Sequence, residues 1–170
     1  MDDNKLKTER LTLRAPRAQD ADVVTRALSD FDVTRWLAQV PFPYDDGMAQ
    51  EWLARPENCW PELAMVTHDD VVIGCVDTKG ASIGYWLARD AWGQGFMTEA
   101  ASAMRDHFFL NTDAPILRSG FFNGNTASEN VLRKLGFDAT EETTMYNIAQ
   151  GQDLPHINMA LQRTVWEARQ

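Results

Sequence analysis

A glycine-rich turn between a predicted strand and a predicted helix constrains this chain more than any other feature. Apolar residues 81–87 read as a strand, and apolar side chains then recur at helical spacing over residues 96–110, at Met97, Ala101, Met104 and Phe108. Between them, Gly93 and Gly95 allow a sharp turn and a close approach to a ligand. A helix that begins at such a turn presents free N–H groups, so the segment predicts a site for an anion such as a pyrophosphate.

Two other phosphate-binding loops fit this turn poorly. A P-loop requires Gly-Lys followed by Ser or Thr, which the turn lacks. A dinucleotide fingerprint requires a third glycine, where Thr98 stands, and an acid at the end of the next strand, whereas Asp113 precedes that strand. A nicotinamide cofactor is therefore disfavoured, while a simple connecting turn remains open if the two glycines are considered alone.

The first half of the chain predicts strands and helices around a loop of aromatic residues. Two apolar runs joined by Asp69 and Asp70 indicate an antiparallel hairpin that continues into a third strand. The loop over residues 36–44 contains two prolines and cannot continue a helix. The predicted elements are strands at residues 10–14, 62–68, 71–78 and 81–87, and helices at residues 20–28 and 47–54.

The second half predicts a strand, a helix and two further strands. Residues 116–122 read as a strand after Pro115. Thr126 and Glu129 form a capping-box pattern that predicts the start of a helix, and Gly136 predicts its end. The last two strands follow, from residue 137 onward and over residues 156–161.

Composition limits the class of protein. With 170 residues, 44% of them hydrophobic, we expect one domain over residues 1–170. A net charge of −9 disfavours nucleic-acid binding, and the absence of a long apolar run disfavours secretion and a membrane span. Cys59 and Cys75 form no CxxC pair and have no histidine cluster nearby, so we expect no metal site, no disulfide framework and a cytoplasmic location.

Three motifs together resemble one enzyme family. They are TERLTLR at residues 8–14, IGYWL with WGQGFMTEA within residues 83–100, and NTASENVLRKLGF at residues 125–137. Over nearly the whole chain, the sequence resembles the GNAT superfamily of acyl-CoA N-acyltransferases, in particular its ribosomal-protein N-terminal acetyltransferase-like branch. The resemblance implies an α/β (α+β) fold: a mixed, mostly antiparallel central sheet of about seven strands flanked by helices, with the cofactor between two splayed strands.

The resemblance also implies acetyl-CoA as cosubstrate and a set of residues that bind it. Backbone N–H groups of residues 93–98 would hold the pyrophosphate, and Leu87 and Arg89 would contact the pantetheine arm through their backbones. The family signature falls on Trp92, Gly95 and Met97, and two of these depart from it. The aromatic Trp92 resembles the usual variant of this branch, whereas Met97 replaces the usual glycine or alanine and either narrows the site or points into the core. The expected cofactor-binding residues are Leu87, Arg89, Trp92, Gly93, Gln94, Gly95, Phe96, Met97, Thr98 and Asn125.

Ser128 is the catalytic residue that the resemblance implies, as the proton donor to the departing thiolate. Asn125 would hydrogen-bond the pantetheine, or it would instead be satisfied locally as a turn or cap residue. A serine hydroxyl is a poor acid without help, and Ser128 can also be a bystander. Many relatives place a tyrosine near this point; Tyr146 is the only late tyrosine here, and its spacing does not show that it reaches the thiol.

The base that would deprotonate the attacking amine has no clear sequence signature. Asp77 at a strand end is expected to be solvated, and Glu99 at a helix start is expected to complement the helix dipole. His68 and His107 read as a turn residue and a helix-surface residue. We expect direct transfer to a primary amine, either a protein N-terminus or a small molecule, and a possible homodimer is typical of relatives. A noncatalytic acyl-CoA-binding module is the alternative.

Overall fold

The computed structural model describes residues 4–169, and its first half forms a five-stranded antiparallel sheet. The strands are paired in chain order, so that each one lies beside the next. The predicted hairpin is confirmed, and both residues of its turn, Asp69 and Asp70, have positive φ. The strands are β1 Lys5–Lys7, β2 Thr12–Arg14, β3 Leu63–His68, β4 Val71–Asp77 and β5 Gly84–Leu87.

The second half contributes a three-stranded antiparallel sheet. Its middle strand is the last one in the chain, and it pairs with both neighbours over most of its length. The strands are β6 Ile116–Phe122, β7 Asp138–Asn147 and β8 Gln152–Gln162. The strand predicted at residues 116–122 is therefore confirmed, and the last strand begins earlier than the apolar pattern of residues 156–161 indicates.

The two sheets meet at one short parallel contact between β5 and β6. Ser82 and Arg118 form an isolated parallel bridge, and the N–H of Ile83 donates to the carbonyl of Arg118 at 2.8 Å. The hydroxyl of Ser119 donates to the carbonyl of Ile83 at 2.9 Å. Beyond this contact the described residues show no pairing between the two strands, so a gap opens between them towards Leu87. The expected splayed strands are therefore β5 and β6.

Helices cover both faces of the strands. One apolar cluster joins α4 and α5 to the sheets, and it includes Met104, Phe109, Leu132 and Leu135. A second cluster lies on the opposite face, beneath the helices of the first half. The helices are α1 Ala21–Leu28, α2 Phe31–Thr34, α3 Met48–Leu53, α4 Phe96–Asn111, α5 Thr126–Leu135 and α6 Arg163–Glu167.

The start of α5 differs from the predicted capping box. Asn125, not Thr126, is the N-cap, and its side-chain oxygen accepts a hydrogen bond from the N–H of Ser128 at 3.2 Å. Asparagine is among the best N-cap residues, so the cap moves one residue towards the N-terminus. The prediction that Thr126 and Glu129 form a capping box is therefore wrong, although the helix itself is confirmed.

Candidate active site

The turn between β5 and α4 presents a row of free backbone donors. Gly93 and Gly95 have φ values of +75° and +78°, which glycine adopts without strain. In the described part of the chain, none of the backbone N–H groups of residues 93–98 donates to a protein acceptor, whereas the N–H of Glu99 donates to the carbonyl of Gly95. A Cβ added at Gly93 would have no neighbour within 4 Å. Free donors at a helix N-terminus, with open space in front of them, form a cradle that fits a pyrophosphate.

The connection between β1 and β2 holds this turn in place. Arg10 donates from Nη1 to the carbonyl of Gln94 at 2.9 Å and from Nε to Glu99 Oε2 at 2.7 Å. Thr8 Oγ1 donates to Glu99 Oε1 at 2.5 Å. Burial alone would raise the pKa of Glu99, but the hydrogen bonds from Thr8 and Arg10 outweigh it and lower that pKa. Glu99 is therefore an ionised anchor for the first motif, TERLTLR, and is poorly suited to accept a proton.

Ser128 has a tyrosine partner that the sequence did not reveal. Tyr85 Oη lies 2.9 Å from Ser128 Oγ, across the opening between β5 and the start of α5. Burial raises the pKa of Tyr85 to about 12, although the hydrogen bond with Ser128 lowers it somewhat. Tyr85 therefore stays protonated at neutral pH and can donate to the serine oxygen. Tyr146, the late tyrosine whose position the sequence left open, is 56% exposed on β7.

Asp77 lies at the point where β5 leaves β6. It pairs in register with Gly84, and a Cβ added at Gly84 would lie 3.3 Å from Asp77 Oδ2. The carboxylate therefore lies over Gly84, the residue that follows the parallel contact along the chain. Burial raises the pKa of Asp77 to about 6, while the charge of Lys79 and a backbone hydrogen bond from Lys79 lower it. The expectation of a solvated strand-end acid is wrong, because neighbouring side chains shield this carboxylate.

His156 occupies the matching position on the other wall of the opening. A Cβ added at Gly120 on β6 would clash with the imidazole, so the ring packs directly on that glycine. His156 Nδ1 lies 3.1 Å from Asn158 Oδ1, and because an amide oxygen accepts, this contact favours a proton on Nδ1 and a lone pair on Nε2. Burial lowers the pKa of His156, and the hydrogen bond with Asn158 opposes this shift.

These groups line a single cavity of about 1000 Å³. Residues of the turn at 92–98, the start of α5 and the facing strands β5 and β6 line the cavity. The segment between α2 and β3 adds an aromatic wall of three side chains, Trp36, Tyr44 and Trp52, of which Trp36 lies beside Gly124 at the start of α5. The cavity thus joins an anion cradle to an opening that contains a hydroxyl pair, a carboxylate and an imidazole.

Comparison with known proteins identifies the family. Residues 10–138 match the family described as acetyltransferase (GNAT) domain. The uncharacterized N-acetyltransferase p20 of Bacillus licheniformis is 31% identical over 160 residues, which cover 86% of this chain and 89% of that protein. The chain belongs to the GNAT acetyltransferase family.

Solved structures share the GNAT fold at lower identity. The microcin C7 self-immunity acetyltransferase MccE, solved with acetyl-CoA and AMP, has a TM-score of 0.77 and 15% identity, and the match covers 91% of this chain and 93% of that one. RimL, a ribosomal L7/L12 alpha-N-protein acetyltransferase solved with coenzyme A, has a TM-score of 0.72 and 17% identity, with coverage of 94% and 98%. The expected GNAT fold is confirmed, and its neighbours include a ribosomal-protein acetyltransferase.

Met97, the residue that departs from the GNAT signature, packs into the core. Its side chain is only 6% exposed and belongs to the apolar cluster beneath α4. Phe96 is equally buried, with the guanidinium of Arg10 4.7 Å from its ring centroid. Met97 also lines the cavity, so it packs into the core at the edge of the site, and it leaves its N–H free at the turn.

The residues expected along the pantetheine arm have side chains engaged elsewhere. Trp92 donates from Nε1 to the carbonyl of Leu87 at 2.8 Å, which leaves that carbonyl one further lone pair. Arg89 forms ion pairs with Asp32 at 2.8 Å and Asp30 at 3.6 Å. Leu87 lines the cavity, whereas Arg89 is not among the described residues that line it, so their contact with the pantetheine arm stays a prediction.

The histidines considered from the sequence lie outside this cavity. His68 packs against Phe96 with ring centroids 4.6 Å apart, and His107 packs against Trp60 at 5.3 Å. Neither is among the described residues that line the cavity. His156, which the sequence did not single out, is the imidazole of this site. Its place beside Gly120 depends on strand pairing, for which the sequence holds no local signal.

Proposed function

We propose that this protein transfers the acetyl group of acetyl-CoA directly to a primary amine, which is either a protein N-terminus or a small-molecule amine. One observation carries the proposal: the row of free N–H groups at residues 93–98 opens into the same cavity as the Ser128 and Tyr85 hydroxyls. The cradle fits the diphosphate of a CoA thioester, and the hydroxyl pair fits the thiol end. We place the reaction in the cytoplasm, where the free thiols of Cys59 and Cys75 are stable.

The cradle and the strand edge suit acetyl-CoA as cosubstrate. MccE was solved with acetyl-CoA and RimL with coenzyme A, and both share this fold. In this chain, the N–H groups of residues 93–98 would bind the diphosphate, and the backbones of Leu87 and Arg89 would pair with the pantetheine amides. Asn125 uses its side-chain oxygen to cap α5, which leaves its amide N–H groups to donate to the arm.

Ser128 would protonate the departing thiolate. A serine hydroxyl alone is a weak acid, but Tyr85 Oη lies 2.9 Å from Ser128 Oγ, and by donating to it the phenol would stabilise the oxygen as its proton leaves. Because the pKa of Tyr85 is raised to about 12, the phenol remains a donor throughout the working pH range. The pair therefore supplies a proton at the point where the C–S bond breaks.

The acceptor amine would enter from the aromatic wall. Tyr44, Trp52 and Trp86 line the cavity and pack against the apolar cluster that contains Cys75. Trp36 lines it beside Gly124, next to the start of α5. Such a wall buries an apolar group beside the reacting amine. It suits an N-terminal residue of a protein or a small amine with an apolar body. An activity test should therefore include acceptor amines of both kinds.

Release of free thiol from acetyl-CoA tests the proposal. We expect release that depends on the added amine, together with a product whose mass is increased by one acetyl group. Ser128→Ala should lower kcat by about 10²-fold, the lower end of the range for general acid–base catalysis, with little change in the affinity for acetyl-CoA.

Ser102→Ala is a matched control, because Ser102 lies on α4 and does not line the cavity. It should retain wild-type turnover. Tight binding of acetyl-CoA without turnover across a broad panel of protein N-termini and small amines would instead favour a noncatalytic acyl-CoA-binding module. Equal kcat for Ser128→Ala and wild type would remove Ser128 from the chemistry.

A further inference from the structure

The opening between β5 and β6 has different chemistry on its two faces. Along β4 and β5, Val76 and Tyr85 pack into the cluster beneath α4 and α5, whereas Cys75 and Trp86 pack into the cluster on the opposite face. Side chains alternate along a strand, so Asp77 points to the same face as Cys75. The Tyr85 and Ser128 hydroxyls therefore lie on one face, and the Asp77 carboxylate lies on the other.

This arrangement separates the two proton transfers that acetyl transfer requires. The cavity wall on the carboxylate's face includes the aromatic side chains from which the acceptor would enter, and the other face carries the hydroxyl pair for the thiolate. The thioester carbon would lie between them, near Gly84, where the strands begin to separate. We propose that Asp77 is the catalytic base, which removes a proton from the ammonium group of the acceptor before it attacks the thioester. The inference rests on the proposed acetyl transfer and names the base for it.

The surroundings of Asp77 leave its carboxylate available for this role. Lys79 is the cation whose charge acts on Asp77, and its Nζ donates to the side-chain oxygen of Asn58. Among the described residues, no ion pair within 4.0 Å involves Asp77. An ammonium that enters from the aromatic wall would therefore meet a carboxylate without a bound counterion. Shielding by neighbouring side chains makes Asp77 a stronger base than an exposed aspartate.

Other titratable groups surround the same end of the cavity, and each has a reason to be a weaker candidate. Glu51 in α3 and Arg55 just after it line the cavity on the aromatic wall, and Glu51 is exposed. The thiol of Cys75 is fully buried, and its pKa is raised mainly by this burial and secondly by the charge of Asp77. His156 is the serious rival, since its Nε2 has a free lone pair, but a neutral imidazole does not attract an ammonium group as a carboxylate does.

The proton balance is complete with these groups. An acceptor ammonium gives one proton to Asp77, and the neutral nitrogen forms a C–N bond with the thioester carbon as the C–S bond breaks. The nitrogen gives its second proton to solvent, the thiolate takes the proton of the Ser128 hydroxyl, and Ser128 recovers a proton from solvent. The products are an amide, a free thiol and protonated Asp77, which then releases its proton to solvent.

The variant Asp77→Asn tests the proposal without removing the local hydrogen bond. Asparagine keeps a side-chain oxygen for the backbone N–H of Lys79 but cannot accept a catalytic proton. We expect kcat/KM to fall by about 10²- to 10⁴-fold near pH 7, with an unchanged Kd for acetyl-CoA. Asp113→Asn, on the exposed segment before β6, is the charge-matched control and should retain full activity.

The pH profile gives a readout that a structural role would not change. In the wild type, kcat/KM should rise through about pH 6 as Asp77 ionises. The pH midpoint of this acidic limb of the profile should be the same for a peptide α-amine and for a lysine side chain, although their ordinary pKa values are about 7.7–8.0 and 10.4. In Asp77→Asn the limb should disappear, and the rate should follow the neutral fraction of each amine. The loss of kcat/KM in Asp77→Asn relative to wild type would then become smaller as the pH approaches the pKa of the amine.

Three results would overturn the proposal. The first is an Asp77→Asn enzyme with wild-type kcat/KM. The second is a wild-type pH profile whose acidic limb shifts with the pKa of the acceptor amine. This result can be measured even if the variant fails to fold. The third is a limb near pH 6 that is lost in His156→Gln but kept in Asp77→Asn, which would assign the base to His156. In all three the wild type still acetylates amines, whereas failure of the proposed function would appear as no acetyl transfer by the wild type.

Discussion

Replacement of Gly93 tests whether backbone donors hold the diphosphate. Gly93 has a φ of +75° and open space around its Cβ position, so a new side chain would project towards the proposed ligand rather than into the protein. Asparagine and aspartate are the non-glycine residues that best tolerate this conformation. Gly93→Asn and Gly93→Asp have nearly the same shape and similar backbone strain, and they differ by one negative charge.

The magnitude follows from the position of that charge. Two unit charges 4 Å apart interact by about 1 kcal/mol in bulk water and by about 4 kcal/mol at the effective dielectric typical of a protein surface. Because Gly93 is exposed, we expect a penalty of about 2 kcal/mol, which corresponds to a Kd about 30-fold higher for Gly93→Asp than for Gly93→Asn. The asparagine variant itself should bind somewhat more weakly than wild type, because of strain and crowding at the turn.

Titration calorimetry with CoA in low and high salt is the assay. At 1 M salt the screening length falls to about 3 Å, so the difference between the two variants should nearly vanish while the strain penalty remains. Pantetheine, which lacks the diphosphate, should bind both variants equally. If the two variants bind CoA with the same Kd at low salt, or if pantetheine shows the same difference as CoA, the turn does not hold the diphosphate.

Three further predictions concern other parts of the chain. Tyr85→Phe removes one hydrogen bond to the acid and should lower kcat by about threefold to tenfold with an unchanged KM for acetyl-CoA; steady-state kinetics that match wild type would contradict this. Asp20→Ala leaves the guanidinium of Arg14, which is only 13% exposed, without its ion-pair partner and should cost about 3 kcal/mol in urea unfolding; a loss below about 1 kcal/mol would show that water replaces the partner. Cys59 should react with a thiol reagent in the folded protein and Cys75 only after unfolding, since burial raises the pKa of Cys75; two fast equivalents would refute the buried position.

Local sequence signals predicted the elements on which the cradle depends. The apolar spacing of α4 and the strand pattern of β6 are properties of adjacent residues, and both elements appear where the pattern indicates. Short elements were missed for the same reason: β1 has three residues and α2 has four, which is too few to show a period. The turn at Gly93 and Gly95 was readable because its chemistry lies in the backbone of consecutive residues.

The side chains at the opening could not be found in this way. Tyr85 and Ser128 are 43 positions apart, and their contact exists because α5 begins beside the free edge of β5. Asp77 looked like a strand-end acid on the surface, and its burial depends on the pairing of β4 with β5. His156 reaches the site only because the last strand lies between β6 and β7. Long-range strand order, which has no local signature, thus decides which titratable groups meet.

The acidity of the chain explains why the proposed diphosphate site relies on conformation rather than on cations. A net charge of −9 repels a phosphate-bearing ligand at long range, but salt at physiological strength screens this field beyond about 8 Å. Arg10 lies beside the turn, yet its guanidinium is occupied by Glu99 and by the carbonyl of Gln94, so it fixes the backbone instead of meeting the ligand. In the proposed site the N–H groups at contact distance attract the diphosphate, and we expect them to stay aligned only while Gly93 and Gly95 keep their left-handed φ values. A change in backbone preference at either glycine should for this reason weaken binding even when it adds no charge.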